Sequence, residues 1–256
     1  MISRRGLIFG SGAVLCGAGL APVGGLAATE LGLPEDAGPR LDTVVSAPAR
    51  GMTVAMTFDD GPHPTWTPKL LDILKARDIR TTFYVIGRNV ATWPDIVKRM
   101  VDEGHEIGNH TWSHPFLSKL GTEGIFGELD RTSDAVYRAV QRIPVTLRPP
   151  YGALSGGQAA TVHRDREMPT VMWSVDTQDW RRPGAEVVAS RVIELSVPGS
   201  IVLSHDIHGP TIEAMPAALD GLIARGFDFA TVSMILGRRD WSKIRWRLPQ
   251  TDFAES

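Results

Sequence analysis

Met52-Thr53-Val54-Ala55-Met56-Thr57-Phe58-Asp59-Asp60-Gly61-Pro62 is an apolar run that stops abruptly at two carboxylates and a Gly-Pro turn. Its apolar part reads as a short buried strand. A helical apolar period follows over Trp66–Arg77, and then a β-branched and aromatic run, Thr81–Ile86. The rhythm then repeats. Helical patterns fall at Thr92–Asp102, Thr122–Gln141, after Ser155, at Ala185–Ser196 and at Thr211–Arg225. Strand-like runs fall at His105–Gly108, Thr146–Leu147, Thr170–Val175, Ser200–Ser204 and Phe229–Val232. Strands and helices alternating every ~25–30 residues imply βαβ units on a parallel sheet. Right-handed crossovers can close such units into a barrel. The expected fold is therefore α/β, a distorted (β/α) barrel of about seven units. No Gly-x-Gly-x-x-Gly follows the first strand, which argues against a dinucleotide-binding open sheet.

The 256 residues suffice for one substantial domain, and the 43% hydrophobic, 22% charged composition is that of a globular protein. A formal net charge of −2 gives no footing for nucleic acid. Residues 1–29 read as an export signal: Arg4 and Arg5, an uncharged stretch from Gly6 to Thr29, and small residues Gly25, Ala27 and Ala28 at its end. Ser3-Arg4-Arg5-Gly6-Leu7-Ile8 resembles a twin-arginine motif, which places the protein in the periplasm or at the surface of a bacterium. The glycine-rich signal is a poor spanning helix, so no stable membrane insertion is expected after cleavage. Cys16, the one cysteine, lies inside it and leaves the mature chain without disulfides or thiolate ligands. Residues 30–50 read as a lead-in segment, 51–237 as the main folded domain and 238–256 as a basic, aromatic tail that docks on the domain. No sequence feature specifies an oligomeric state.

Unusual polar clusters fall where the apolar strands end: Asp59-Asp60, His110/His114, Arg148 to Tyr151, Asp176 to Trp180, and His205-Asp206. In a parallel barrel those ends share one face, where active sites sit. Adjacent strand residues point to opposite sides, so one Asp can bind a cation while the other stays free as a base. Asp-Asp-Gly is also ordinary turn chemistry. His110 and His114, at i and i+4, read as one helical turn apart and able to converge on one ion. Two histidines and a carboxylate with an open position make a hydrolytic zinc arrangement, with Asp60 available as third ligand. Arg148 can pair with a rim carboxylate, Asp179 can orient a histidine, and His205 suits proton transfer. His63 and His105 carry plainer readings, a loop residue and a structural strand histidine. His208 reads as a cap for a helix starting at Thr211, with a substrate contact as the alternative, and Trp112 as either a packing aromatic or a border of the groove.

Five ordered motifs, Thr57–Pro62, His110–His114, Arg148–Tyr151, Asp176–Trp180 and Leu203–His205, together resemble the polysaccharide deacetylase family (NodB-homology domain, carbohydrate esterase family 4). The rhizobial chitooligosaccharide deacetylases belong to it. The resemblance spans roughly Met52 to Leu236. It implies that Asp60, His110 and His114 hold a divalent metal, zinc foremost, with cobalt or another divalent ion as alternatives. It makes Asp59 the base that activates water, steadied by Arg148, and His205 the acid that protonates the departing amine, oriented by Asp179. The Tyr151 backbone N–H would stabilise the oxyanion, and Trp180 and Leu203 would line the acetyl pocket. The implied substrate is an N-acetylated glycan, chitooligosaccharide or peptidoglycan, losing acetate from N-acetylglucosamine. Xylan de-O-acetylation, hydrolysis of a small amide, or a catalytically silent cell-wall glycan-binding protein are the competing expectations.

Overall fold

A computed structural model describes residues 42–49, 51–238 and 241. The export signal with its twin-arginine stretch and Cys16, most of the lead-in and nearly all of the tail lie outside the described residues.

The central strand is β2, Thr53–Asp59, with every residue after Thr53 buried. Its even-numbered side chains, Val54, Met56 and Phe58, point outward into the larger core. They meet Leu70, Leu71 and Leu74 of α1 (Trp66–Lys75) and Met215, Leu219 and Leu222 of α7 (Gly209–Ala224). Each of those leucines is fully buried, a contribution of about 1.5–3 kcal/mol apiece. The odd-numbered residues Ala55, Thr57 and Asp59 take the opposite face, as pleated-strand alternation requires. Ala55 joins a second, interior cluster with Tyr84, Val171, Ile201 and Val232. The same parity that fills the barrel carries Asp59 to its inner rim.

All ladders are parallel. The strands are β1 (Thr43–Val44), β2, β3 (Thr82–Val85), β4 (Glu106–Asn109), β5 (Thr170–Val171), β6 (Val175–Asp176), β7 (Ile201–His205) and β8 (Asp228–Phe229). The main sheet runs β4-β3-β2-β7-β6, and β8 pairs with the start of β2. Beyond β4, single bridges link Asn109 to Leu147 and Leu147 to Thr170. The run from β5 to β6 pairs first with β1 and then with β7. The Leu147 quarter is thus the distorted one, since Pro149 and Pro150 end the strand directly after Arg148. The remaining helices are α2 (Gly87–Thr92), α3 (Pro94–Asp102), α4 (Thr122–Val140), α5 (Gly156–Arg166), α6 (Ala185–Leu195) and α8 (Val232–Ile235).

Three details depart from the periodicity. The helix expected over Thr92–Asp102 begins only at Pro94, and Thr92 closes a separate short helix, Gly87–Thr92, because Trp93, the residue before a proline, resists the α conformation. The strand expected over Phe229–Val232 ends at Phe229, and Thr231 instead caps α8, its hydroxyl accepting from the Met234 amide at 3.4 Å. Within the stretch read as lead-in, Thr43–Val44 pairs with β5.

Candidate active site

Asp59 ends β2 facing the barrel interior, only 3% exposed. Arg148, fully buried, reaches it through Nη1 at 2.8 Å. The guanidinium also donates to Thr57 Oγ1 (2.6 Å), the Val171 carbonyl (3.1 Å) and the Met172 carbonyl (2.9 Å), and it lies 4.2 Å from the Tyr84 ring centroid. A buried ion pair is tolerable only with such full partnering.

The next residue does not continue the strand. Asp60 has φ of 77°, a left-handed turn conformation, and its carbonyl accepts from Asn89 Nδ2 at 2.8 Å. The strand rule that would send the two carboxylates to opposite sides therefore fails here, and both face His110: Asp59 Oδ2 at 3.9 Å and Asp60 Oδ1 at 3.4 Å from Nε2. His110 and His114 are likewise not on a helix. β4 ends at Asn109, and the following loop contains two left-handed non-glycine residues, Thr111 (φ 67°) and His114 (φ 65°). These turns, and not a helical pitch, bring the two imidazoles together, with centroids 5.0 Å apart. His114 Nε2 lies 3.2 Å from Asp60 Oδ1.

The donor set fits a metal ion. His110 Nδ1 lies 2.6 Å from the Arg148 carbonyl, which can only accept, so the proton sits on Nδ1 and a neutral ring turns the Nε2 lone pair toward Asp60. Asp60 Oδ1 is buried with no hydrogen-bond donor on it. A carboxylate oxygen facing imidazole lone pairs is stable around a cation. One ligand atom from each of Asp60, His110 and His114 falls within 4.8 Å of the others. Burial alone would raise the Asp60 carboxyl, but the two imidazole edges facing it, His110 and His114, lower it far below the ordinary carboxylate range and keep it an anionic ligand.

Across the rim, His205 ends β7. Its Nδ1 lies 2.7 Å from Asp179 Oδ1, and its backbone N–H donates to Asp179 Oδ2 at 2.7 Å. Thr211 Oγ1 and the Trp180 amide also donate to this carboxylate, at 2.8 and 3.0 Å. Burial pulls the His205 pKa down, yet Asp179, then Asp59 and Asp60, raise it to about 9. Trp180 stands 49% exposed with the Arg181 guanidinium 4.7 Å from its ring centroid. Leu203 is buried on β7 between Thr57 and Asp176. Tyr151 is 59% exposed and left-handed (φ 59°), stacked on Phe116 at 4.0 Å and edge-on to His114 at 4.6 Å. Its turn spends the amides of Gly152 and Ala153 on i→i+3 bonds, not that of Tyr151.

Asp206 was read only as the neighbour of His205, yet it is fully buried beneath the Asp59–His63 turn. Its amide donates to the Asp59 carbonyl at 3.3 Å, and its carboxylate accepts from Thr67, whose hydroxyl in turn accepts from the His63 amide at 2.7 Å. A Cβ on Gly61 would lie 2.3 Å from Asp206 Oδ2. Burial pushes this carboxyl up to about 7. An Asp-Asp-Gly turn that admits only glycine was a visible signal; the carboxylate beneath it, distant in sequence, was not. His63 accepts the Thr65 and Trp66 amides on Nδ1, capping α1. His105 is buried against Thr81 and Phe83, and burial lowers it to about 4. α7 starts at Gly209 and not at Thr211, which makes His208 its N-cap residue, but the His208 side chain forms no capping bond. Trp112 packs under Arg131 at 3.8 Å. Of the tail, Trp241 is buried, donating to the Ile143 carbonyl at 2.7 Å.

The polysaccharide deacetylase family model matches residues 46–168. A chitooligosaccharide deacetylase of Bradyrhizobium sp. (strain ANU 289) is 38% identical over 69% of this chain and 87% of its own. The peptidoglycan-N-acetylglucosamine deacetylase PgdA of Listeria monocytogenes is 38% identical over 73% of this chain, a match that takes in only 39% of that longer protein. A solved peptidoglycan N-acetylglucosamine deacetylase, in complex with a naphthalenyl N-oxidanyl-benzamide, superposes with a TM-score of 0.75 at 34% identity, covering 78% of this chain and 95% of that one. The chain belongs to the polysaccharide deacetylase family.

Proposed function

We propose that the protein is a metal-dependent hydrolase that removes N-acetyl groups from N-acetylglucosamine units of peptidoglycan or chitooligosaccharide glycans. The observation that carries the reading is the convergence of Asp60, His110 and His114 beside the two proton-handling pairs, Asp59–Arg148 and His205–Asp179. The relatives named for N-acetylglucosamine glycans supply the substrate class.

A divalent cation, zinc foremost, held by Asp60, His110 and His114 would supply a Lewis acid that polarises the acetamide carbonyl and acidifies water. Asp59, fixed by Arg148, accepts the proton of the attacking water as the water oxygen bonds to the carbonyl carbon. The Tyr151 amide stands beside the loop as a donor to the developing oxyanion. His205, kept protonated at neutral pH by Asp179, gives the Nε2 proton to the amide nitrogen as the carbon–nitrogen bond breaks. Acetate and a glucosamine unit result. Trp180 and Tyr151 present exposed rings on which sugar can pack, and Leu203 forms an apolar wall for the acetyl methyl. The uncharged stretch behind Arg4 and Arg5 supports export through the twin-arginine route to the cell wall, and no described helix is long and apolar enough to cross a membrane. The catalytic domain in this reading is 51–237.

The test is mass spectrometry of N-acetylglucosamine oligomers and muropeptides incubated with zinc-loaded protein, which locates the sugar that loses its acetyl. Release from acetylxylan, with none from the amino-sugar glycans, would move the assignment to an O-deacetylase.

A further inference from the structure

The loop between the two histidines has an accounting of its own. The Thr111 and Trp112 carbonyls accept from the amides of Gly87 (2.9 Å) and Arg88 (3.2 Å) at the start of α2. The Thr111 amide donates to Asn109 Oδ1 at 2.9 Å, and the His114 amide to Thr111 Oγ1 at 3.0 Å. The two amides left, those of Trp112 and Ser113, both donate to Glu128 Oε2, each at 2.8 Å, and Ser113 Oγ donates to Oε1 at 2.8 Å. Two successive N–H groups converging on one anionic oxygen form a backbone nest, and charge-assisted bonds of this length are the stronger kind. Among the described residues Glu128 forms no ion pair with a side chain.

On the α2 side, a Cβ on Gly87 would lie 2.7 Å from the Trp112 ring, so the loop cannot settle inward. On the α4 side, Arg131 lies one turn beyond Glu128 and faces Trp112, holding the indole but offering no acceptor. Without the carboxylate, the two amides between the left-handed residues Thr111 and His114 lose their acceptor, and that strained stretch loses its tie to α4. His110 has a separate anchor in the Arg148 carbonyl. His114 has no such backbone anchor for its ring, which meets Asp60 Oδ1 and the edges of His110 and Tyr151.

We infer that Glu128 is a positioning residue for the metal site: its carboxylate fixes the loop joining His110 to His114, and with it the affinity for a divalent cation. The inference rests on the metal-site reading above. The experiment uses the full chain, stripped of metal, and measures Zn2+ affinity by competition with a chromophoric chelator. Glu128→Ala and Glu128→Gln are compared with wild type and with Glu123→Gln, an exposed control in the first turn of α4. Glu128→Ala should weaken Zn2+ by about 10- to 100-fold, Glu128→Gln by less, and the control by less than about twofold. Unfolding of the metal-free proteins is followed in parallel. If Glu128→Ala does not fold, Glu128→Gln, which keeps the shape, decides. Wild-type affinity in a folded Glu128 variant overturns the inference. Because no substrate is involved, a wild type that binds zinc but deacetylates nothing would defeat the functional proposal and leave this inference standing.

Discussion

Replacing Asp179 by Asn tests how the site keeps a proton at neutral pH. The amide conserves shape but loses the charge, and it sets an NH2 against one of the four donors that converge there: His205 N–H, His205 Nδ1–H, Thr211 O–H and the Trp180 amide. In wild type the His205 pKa rises from 6.5 to about 9. That difference is worth roughly 3 kcal/mol, at about 1.4 kcal/mol per pKa unit. With Asp179 neutral, burial dominates and the pKa should fall to about 6.5 or below. At about pH 8 an acid of pKa 9 is mostly protonated and one of pKa 6.5 only about 3%, so acetate release should drop about 30-fold there. The alkaline limb of the pH–rate profile should move from near 9 to near 6.5. Stability follows the same sign. The His205 contribution is complete below about pH 6.5 and lost as pH rises through about 9, because the folded-state pKa is the higher. For Asp179, burial opposes but the His205 bond prevails and lowers the pKa below 3.8, so its contribution holds above that value and fades on acidification. The stability gap between wild type and variant should therefore be widest near neutrality and narrow above pH ~9. An alkaline limb in Asp179→Asn that coincides with wild type, in a folded protein, would refute the reasoning.

Arg148→Met strips four hydrogen bonds and leaves Asp59 buried without its cation. A cost of about 3–5 kcal/mol in urea unfolding is expected, and less than about 1 kcal/mol would contradict the account of the pair. Gly61→Ala drives a methyl to within 2.3 Å of the Asp206 carboxylate and should displace the Asp59–His63 turn. Calorimetry should show both a lower unfolding temperature and weaker zinc binding. Trp241→Ala removes a fully buried indole and its bond to Ile143. The expected loss is about 3–5 kcal/mol, with acetate release at room temperature unchanged.

How much of this was legible in the sequence follows from the range of each signal. The alternation on Val54–Asp59 is local, so the strand, its two faces and the inward aim of Asp59 could be read directly. The histidine pair misled because i, i+4 spacing also arises in a loop with two left-handed residues, and neither Thr nor His demands that conformation as glycine would suggest it. The same holds for Asp60, whose positive φ depends on Asn89 and Gly61 around it. Asp206 and Glu128 stayed invisible for another reason. Their roles are defined by partners 139 and about 15 residues away in sequence, Thr67 for the first and the Trp112–Ser113 amides for the second.

The central claim is that Asp59 drives a metal-supported attack on an N-acetyl group, and one measurement meets it directly: acetate and free amine quantified together from N-acetylglucosamine oligomers and muropeptides. Zinc-loaded wild type should release the two in equal amounts, chelation should abolish release and re-addition restore it, and Asp59→Asn should be inactive while still binding zinc. No acetate from any of these glycans with folded, metal-loaded protein, or release undiminished by Asp59→Asn, would contradict it.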